Sequence, residues 1–413
     1  MATQIFTNIS LLANTRNESH QLRGHELSNL PTIENAYLVV EDDVIAEFGV
    51  MEDCKYSAAQ CRSLIKDCIV LPCWCDSHTH IVFSGSRETE FVDKIKGESY
   101  ADIAAKGGGI LNSAKKLNES SEDELFNSAW TRLNEISMLG TGAVEIKSGY
   151  GLTLEGELKM LRVIKKLKDK SPIKIKSTFL GAHAFPQEYK EDHSGYVDLL
   201  IKEMLPVIAK EKLADYIDVF CESGFFSAQE MEIICNAGKQ YGLKPKLHVN
   251  QLNSIGGIEK GIELNALSLD HLETLTQEEI QMLGKFNGCS TLLPAPAFFL
   301  GMQCQPARAL INAGAAVTLA SDYNPGSSPS GNMNFVISLA CIQMKMLPEE
   351  ALNAGTINGA VAMEIENDYG SITAGKKANL IFSKPVPSLA YLPYSFGNNL
   401  IDKVMINGEF ISS

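Results

Sequence analysis

The sequence has no long hydrophobic run and no concentration of basic residues. None of its apolar stretches approaches the ~18 residues that a membrane-spanning helix requires, and the first residues lack the basic and apolar segments of a secretion signal. Across 413 residues, 50 acids outnumber 36 bases, and the formal net charge is -14. Such a chain repels nucleic acid on average. We therefore expect no nucleic-acid partner, no membrane partner and a cytoplasmic location.

The cysteines lack the spacing of a disulfide framework. There are ten, scattered at positions such as Cys54, Cys221 and Cys341. Cys73 and Cys75 are separated by one residue, which is too close for the usual Cys-x2-Cys zinc pattern. Reduced thiols in a cytosolic protein are the better interpretation.

The two ends of the chain share a β-rich pattern. Residues 1–70 read as short strands and turns with one face buried, and the same pattern returns in residues 367–413. We expect the two ends to form one small β-sandwich lobe. The chain length fits one large α/β domain beside such a lobe.

Between residues 71 and 366, apolar strand-like runs alternate with segments of helical spacing. The runs cover residues 142–147, 176–182, 216–221, 245–248, 266–270, 290–294 and 316–320. The clearest helical patterns cover residues 122–139, 154–167 and 228–241. Alternating strands and helices indicate parallel βα units, and about eight of them indicate a closed barrel. The predicted fold is α/β, a (β/α)8 TIM-type barrel.

A histidine pair follows the first barrel run. The segment from Ile69 to Cys75 is rich in strand-forming residues and leads into His78 and His80. Residues two apart on a strand point to the same face, so the two imidazoles converge. Neutral imidazole is the commonest metal ligand, which favours a transition metal such as zinc or iron. The alternative is an incidental surface pair.

Further candidates follow later runs. His248, His271 and Asp322 each lie at the end of one, and functional residues of such barrels lie at the strand ends. Three imidazoles and a carboxylate hold a metal ion and leave room for a water, whose pKa falls towards ~7. Asp322 is then both ligand and proton shuttle, and His271 polarises the attacked carbonyl or helps to move the proton.

These residues resemble the amidohydrolase superfamily, and seven local segments resemble the imidazolonepropionase family within it. The segments are residues 83–91, 107–110, 147–152, 181–186, 247–252, 269–273 and 321–329. The resemblance runs from about Leu71 to the C-terminus. It implies hydrolysis of 4-imidazolone-5-propanoate to N-formimidoyl-L-glutamate, a step of histidine degradation.

The resemblance also assigns site residues. One divalent ion per subunit, zinc or iron, is bound by His78, His80, His248 and Asp322. The implied substrate-binding residues are Arg87, Tyr150, His183, Gln251, Asn324, Gly326 and Ser327. The catalytic residues expected are Asp322, His271 and His183. Gln251 stands where some members have Glu, and a Gln cannot act as a base.

The substrate-binding residue types suit a small molecule with a carboxylate. The guanidinium of Arg87 matches a carboxylate through a bidentate fork. A salt bridge of Arg87 with Glu88 or Glu90 is the alternative. His183 follows a strand, and we expect it to donate a hydrogen bond to the ring carbonyl or to an oxyanion. The turn that begins at Asn324 offers free N–H groups for the carboxylate end.

Lys147 invites comparison with the lysine that bridges two metals at the end of the fourth strand in other amidohydrolases. We expect instead an ion pair with Glu145 or Glu222. Two other functions remain open, a deaminase of a nucleobase-like ring and a catalytically silent barrel that acts as a binding module. Large barrel enzymes often form symmetric dimers, so a homodimer is expected.

Overall fold

The computed structural model describes residues 3–63, 66–97 and 108–411. The strands are β1 (Thr3–Ala13), β2 (Thr32–Glu41), β3 (Val44–Val50), β4 (Cys61–Ser63), β5 (Ile69–Pro72), β6 (Trp74–Thr79), β7 (Thr141–Lys147), β8 (Lys174–Ala182), β9 (Tyr216–Cys221), β10 (Lys244–Val249), β11 (Ser268–His271), β12 (Cys289–Leu292), β13 (Val317–Leu319), β14 (Leu380–Ser383), β15 (Ile401–Ile406) and β16 (Glu409–Phe410).

The α-helices lie mainly between the strands β6 to β13 and directly after them. They are α1 (Glu88–Ile95), α2 (Ile110–Glu119), α3 (Glu122–Met138), α4 (Leu154–Lys170), α5 (His193–Leu199), α6 (Leu205–Glu211), α7 (Ala228–Lys239), α8 (Gly257–Glu263), α9 (Gln277–Leu283), α10 (Pro294–Leu300), α11 (Ala307–Ala313), α12 (Met333–Ile342), α13 (Pro348–Gly355), α14 (Ile357–Ala362) and α15 (Tyr391–Tyr394). A π-helical segment, Leu200–Met204, joins α5 to α6. None of the described helices is both long and apolar enough to cross a membrane.

Strands β6 to β13 form one parallel sheet in sequence order. Its two edges meet, because Thr79 at the end of β6 forms a parallel bridge with Tyr323 after β13. The N–H of His80 donates to Tyr323 O, and the N–H of Asp322 donates to His78 O, both at 2.9 Å. These bonds close the sheet into a barrel and place the ends of the first and last strands side by side. The predicted (β/α)8 barrel is confirmed.

The three predicted helices form because each has an apolar stripe and a capped start. α3 buries Leu125, Ala129, Leu133 and Ile136, which recur at helical spacing. A capping box forms the start of α3. The side chain of Ser121 accepts from the N–H of Glu124, and the carboxylate of Glu124 accepts from the N–H of Ser121. α7 has the same arrangement. The helices end within three residues of the predicted positions.

The lobe is a separate sheet with the strand order β16-β15-β14-β5-β1-β2-β3, and β4 lies beside β1. Its own core includes Phe6 and Phe382, whose ring centroids are 5.1 Å apart, so the two chain ends pack on each other as predicted. The chain passes from lobe to barrel at Cys73, between β5 and β6. The domain boundaries at residues 70 and 366 stay predictions. All ten cysteines are free.

Candidate metal and substrate site

The predicted ligands meet where barrel strands end. Nε2 of His78 lies 3.1 Å from Nε2 of His248. Oδ1 of Asp322 lies 3.6 Å from Nε2 of His78 and 3.4 Å from Nε2 of His80. All four side chains are buried. Ligand atoms ~2.1 Å from a tetrahedral ion lie about 3.4 Å apart, so these separations suit a metal ion.

The hydrogen bonds behind His78 and His248 hold both rings in the form that a metal requires. Nδ1 of His78 donates to Oδ2 of Asp270, and Nδ1 of His248 donates to Oδ2 of Asp218, both at 2.7 Å. Burial holds the pKa of both imidazoles well below the ordinary value, so both are neutral. Each Nε2 therefore carries a lone pair, and the two lone pairs face each other. A cation between them removes this repulsion, so the residues fit a metal.

The ligand atoms fall into two overlapping groups. One contains His78, His80 and Asp322, and the other contains His78, His248 and His271, with the atoms of each group within 4.8 Å of one another. The sequence predicts His248 as a ligand with the first group and leaves His271 outside the ligand set. The structure makes His78 the residue shared by both groups.

Two of these residues have an unusual backbone conformation. φ is +50° at Asp322 and +86° at His271. Positive φ is uncommon for residues other than glycine and costs ~1–3 kcal/mol at such a position. Both residues line the same cavity, so the strain lies where catalysis was predicted.

A buried ionic network supports the metal cluster. Nζ of Lys147 lies 2.7 Å from Oε1 of Glu145, 2.9 Å from Oδ2 of Asp218 and 3.7 Å from Oδ2 of Asp270. Nζ of Lys246 lies 3.0 Å from Oε2 of Glu145. None of the five side chains has measurable exposure. The two ammonium groups thus offset part of the charge of three carboxylates, two of which orient His78 and His248.

Lys147 lies at the end of β7, the second barrel strand, and it does not occupy a bridging position. Its predicted ion pair with Glu145 is confirmed. The alternative partner, Glu222, is wrong: its carboxylate accepts from the N–H groups of Leu252 and Asn253 at 2.8 and 3.1 Å. Glu222 therefore holds the loop that carries Gln251.

His271 faces a carboxylate of its own. Its Nδ1 lies 3.3 Å from Oε1 of Glu273, which also accepts from Nε2 of Gln305 at 2.9 Å. Burial opposes protonation of His271, but Glu273 outweighs it together with Asp322 and raises the pKa of the imidazole above its ordinary value. The ring can therefore hold and release a proton inside the cavity.

The tautomer of His183 is set by a backbone carbonyl. Its Nδ1 lies 2.9 Å from the carbonyl oxygen of Gly149, which can only accept, so the proton is on Nδ1. Burial lowers the pKa of His183 to about 3, so Nε2 carries no proton. Nε2 is thus an acceptor in this arrangement, whereas the sequence predicts a donor to a ring carbonyl or an oxyanion, and the role of His183 towards the substrate stays a prediction. A Cβ at position 149 would lie 2.9 Å from this ring, which explains the glycine.

A cavity of about 440 Å³ lies over the cluster. The residues predicted for the substrate all line it, namely Arg87, Tyr150, His183, Gln251, Asn324, Gly326 and Ser327. His80, His248, His271 and Asp322 line it as well. The structure therefore brings three of the four predicted ligands and all the predicted substrate-binding residues to one cavity, while the contacts with substrate stay a prediction. Gly107, from the quoted segment 107–110, lies outside the described residues.

The turn after Asp322 is held by its own hydrogen bonds. Oδ1 of Asn324 accepts from the N–H groups of Gly326 and Ser327, both at 2.8 Å. Nδ2 of Asn324 donates to Asp322 O at 2.7 Å. The N–H groups that sequence analysis described as free are therefore engaged within the turn.

Arg87 has the partner that was considered as the alternative. Its Nε and Nη2 donate to Oε2 of Glu90 at 2.8 and 2.6 Å. Glu90 is 7% exposed, so this is no surface pair, and its Oε1 accepts from the N–H of Gly109 at 3.0 Å. Nη1 of Arg87 lies against Gly326, where a Cβ would overlap with it. Arg87 is thus fixed at the cavity wall.

Comparison with known proteins decides the family. A protein of Flavobacterium johnsoniae named imidazolonepropionase is 58% identical over 98% of this chain and 99% of its own length. Proteins of the same name from Flavobacterium psychrophilum and Christiangramia forsetii are 56% and 53% identical, over 100% and 99% of this chain and 100% of each relative. The chain belongs to the imidazolonepropionase family.

The imidazolonepropionase family is part of a wider group with this fold. Residues 226–411 match the profile described as "Amidohydrolase family". The structure of guanine deaminase from E. coli has a TM-score of 0.72 at 12% identity, covering 100% of this chain and 99% of that one. A triazine hydrolase variant has a TM-score of 0.72 at 15% identity, covering 99% and 94%. At these identities the likeness shows the fold alone.

Membership of the imidazolonepropionase family and the His78, His80 and Asp322 group together establish a metal site. Asp218 and Asp270, which orient the imidazoles, are not among the residues predicted from the sequence. The sequence contains a signal for them, because each is a lone acid within an apolar strand and a buried acid needs a partner. Lys94, Phe225 and Leu252, which line the cavity, are not predicted either.

Proposed function

We propose that this chain hydrolyses 4-imidazolone-5-propanoate to N-formimidoyl-L-glutamate in the degradation of L-histidine. Water adds to the ring carbonyl carbon, the bond from that carbon to the ring nitrogen breaks, and the carbon becomes a carboxylate. The observation that carries the proposal is one cavity lined both by His80, His248 and Asp322 and by the cation Arg87. The names of the relatives at 53% identity and above support the same reaction.

The cofactor is one zinc or iron ion per subunit, held by His78, His80, His248 and Asp322. Nitrogen and carboxylate donors suit both metals. Such an ion activates a water molecule for attack on the carbonyl and polarises that carbonyl. The two unprotonated Nε2 atoms of His78 and His248, which face each other at 3.1 Å, support this set of ligands.

Proton transfer is assigned to Asp322 and His271. Burial opposes ionisation of Asp322, but the neighbouring imidazoles outweigh it and lower the pKa of the carboxyl, so the group is ionised. We assign this carboxylate, which lies beside the cluster, to accept the proton of the attacking water. His271, whose pKa is raised, supplies a proton to the ring nitrogen as its bond to carbon breaks. Glu273 holds the imidazole in place for this step.

The remaining cavity residues bind and orient the ring. The neutral Nε2 of His183 accepts a hydrogen bond from a ring N–H of the substrate. The amide of Gln251 forms a hydrogen bond with a second polar group of the ring. Tyr150 packs with its ring centroid 5.4 Å from that of His183, which limits the room for water. Asn324, Gly326 and Ser327 form the wall next to Arg87.

The partner is a small molecule that carries a carboxylate, and neither nucleic acid nor membrane is bound. The net charge of -14 argues against nucleic acid. We place the protein in the cytoplasm, in accord with its ten free cysteines. We also propose a homodimer, because large barrel enzymes often form symmetric dimers.

The test is an assay of the purified protein with freshly generated 4-imidazolone-5-propanoate, following N-formimidoyl-L-glutamate, with the metal content measured. Turnover by the wild type, and a raised KM with retained metal in Arg87→Ala, are expected. No turnover by the fully metallated wild type would overturn the proposal and favour the deaminase alternative. Aminated rings and cyclic amides would then be tested.

A further inference from the structure

The charge of Arg87 is offset by a neighbouring carboxylate. The guanidinium donates twice to the carboxylate of Glu90. The burial of Glu90 keeps water from weakening this pair. Arg87 and Glu90 together carry no net charge, so the pair by itself attracts an anion weakly.

Other groups near Arg87 do not supply the missing attraction. The N–H groups of Gly326 and Ser327 donate to Oδ1 of Asn324. The carboxylate of Asp322, which lines the same cavity, repels an anion. An anionic substrate therefore needs a further cation at this end of the cavity.

Lys94 is a cation in the required place. It lies on α1 four residues after Glu90, which puts both side chains on the same face of the helix. Lys94 lines the cavity together with Arg87 and Gly326. In the described part of the chain its ammonium group forms no hydrogen bond and no ion pair. Burial and the neighbouring Arg87 lower the pKa of Lys94, and the charge of Glu90, which is bonded to Arg87, opposes them only in part.

We propose that Lys94 determines the selectivity for a carboxylate-bearing substrate, by binding the propionate carboxylate together with Nη1 of Arg87. Nη1 is the guanidinium nitrogen that Glu90 leaves unused. An arriving carboxylate supplies the acid that Lys94 lacks, and the charges of Arg87, Glu90, Lys94 and substrate then balance. This inference rests on the proposed function, since it names how that substrate is held.

The experiment compares Lys94→Met with Lys96→Met. Methionine keeps the length of the side chain and removes its charge, and Lys96 is an exposed lysine just after the same helix that does not line the cavity. KM and kcat are measured for 4-imidazolone-5-propanoate and for its neutral propionamide analogue. Metal content is measured in every sample.

Lys94→Met should raise KM for the acid about tenfold or more while kcat changes little, because a charge-assisted hydrogen bond to the substrate is lost. KM for the neutral amide should stay near the wild-type value, and Lys94→Arg should restore most of the affinity for the acid. Lys96→Met should behave like the wild type.

An unchanged KM for the acid in Lys94→Met would overturn the proposal. An equal rise for acid and amide would also overturn it, since Lys94 would then act through packing and not through charge. Failure of the proposed function is a separate result, because the metallated wild type would then turn over neither compound.

Discussion

Asp218 holds the imidazole of His248 by two hydrogen bonds. Its Oδ1 accepts from the N–H of His248 at 3.0 Å, and its Oδ2 accepts from Nδ1 at 2.7 Å. One carboxylate thus fixes both the backbone and the ring of a predicted metal ligand. The proton on Nδ1 leaves Nε2 free to bind a metal ion.

Replacing Asp218 by Asn should therefore weaken metal binding about ten- to a hundredfold, because the ring loses a charged partner that fixes its tautomer. Competition with a chelator of known affinity measures this. Asp215→Asn is the matched control, since Asp215 binds Lys168 and Ser177 away from the cluster. Equal metal affinity in the two variants would contradict the role given to Asp218.

The ion pairs of Lys147 should matter for folding more than a surface pair does. Lys147→Met leaves Glu145 and Asp218 without their shared buried cation, and we expect the free energy of unfolding to fall by about 3–5 kcal/mol. Lys168→Met breaks a partly exposed pair with Asp215 and should cost less than about 1 kcal/mol. Urea denaturation of both variants measures the two changes. Similar decreases in the free energy of unfolding would show that a buried ion pair contributes no more to stability than a partly exposed one.

The barrel and its ligands could be predicted because their signals are local. Alternating apolar runs and helical spacing locate the strands, and strand ends locate His78, His80, His248 and Asp322. The capping box at Ser121 marks the start of a helix within four residues of sequence. Such patterns depend on neighbours along the chain and not on the folded structure.

The orientation of groups in the site could not be predicted, because it depends on residues distant in sequence. Asp270 contacts His78 across 192 positions. The proton on His183 is placed by the carbonyl of Gly149, 34 positions away, which leaves Nε2 as an acceptor where the sequence predicts a donor. Hydrogen-bond geometry of this kind appears only when the strands are assembled.

Because of Lys376, the free energy of unfolding should change with pH in the alkaline range. Its Nζ donates to Tyr369 O and to Oγ of Ser371 at 2.9 and 2.7 Å, and burial lowers its pKa to about 8. In the unfolded chain a lysine titrates near ~10.4. Between these values the unfolded chain binds more protons, so the contribution of this group to stability rises with pH.

The difference in unfolding free energy between wild type and Lys376→Met should accordingly shift in favour of the wild type from about pH 7.5 to about pH 9.5. Lys377→Met is the control, because Lys377 is partly exposed and pairs with Asp43. A difference that stays constant with pH would show that the pKa of Lys376 is close to that of the unfolded chain.

A Cβ at residue 326 would overlap with the guanidinium of Arg87, so a larger side chain there must displace it. Its φ is not in the left-handed region, so alanine fits the backbone and the fold should be retained. Gly326→Ala should displace Arg87, which Glu90 holds against this wall, and raise KM for the carboxylate substrate about tenfold with little change in melting temperature. Ser330→Ala, in the same loop, serves as the control. If Gly326→Ala keeps the wild-type KM, the guanidinium can move aside without loss, and the position of Arg87 seen here does not determine substrate binding.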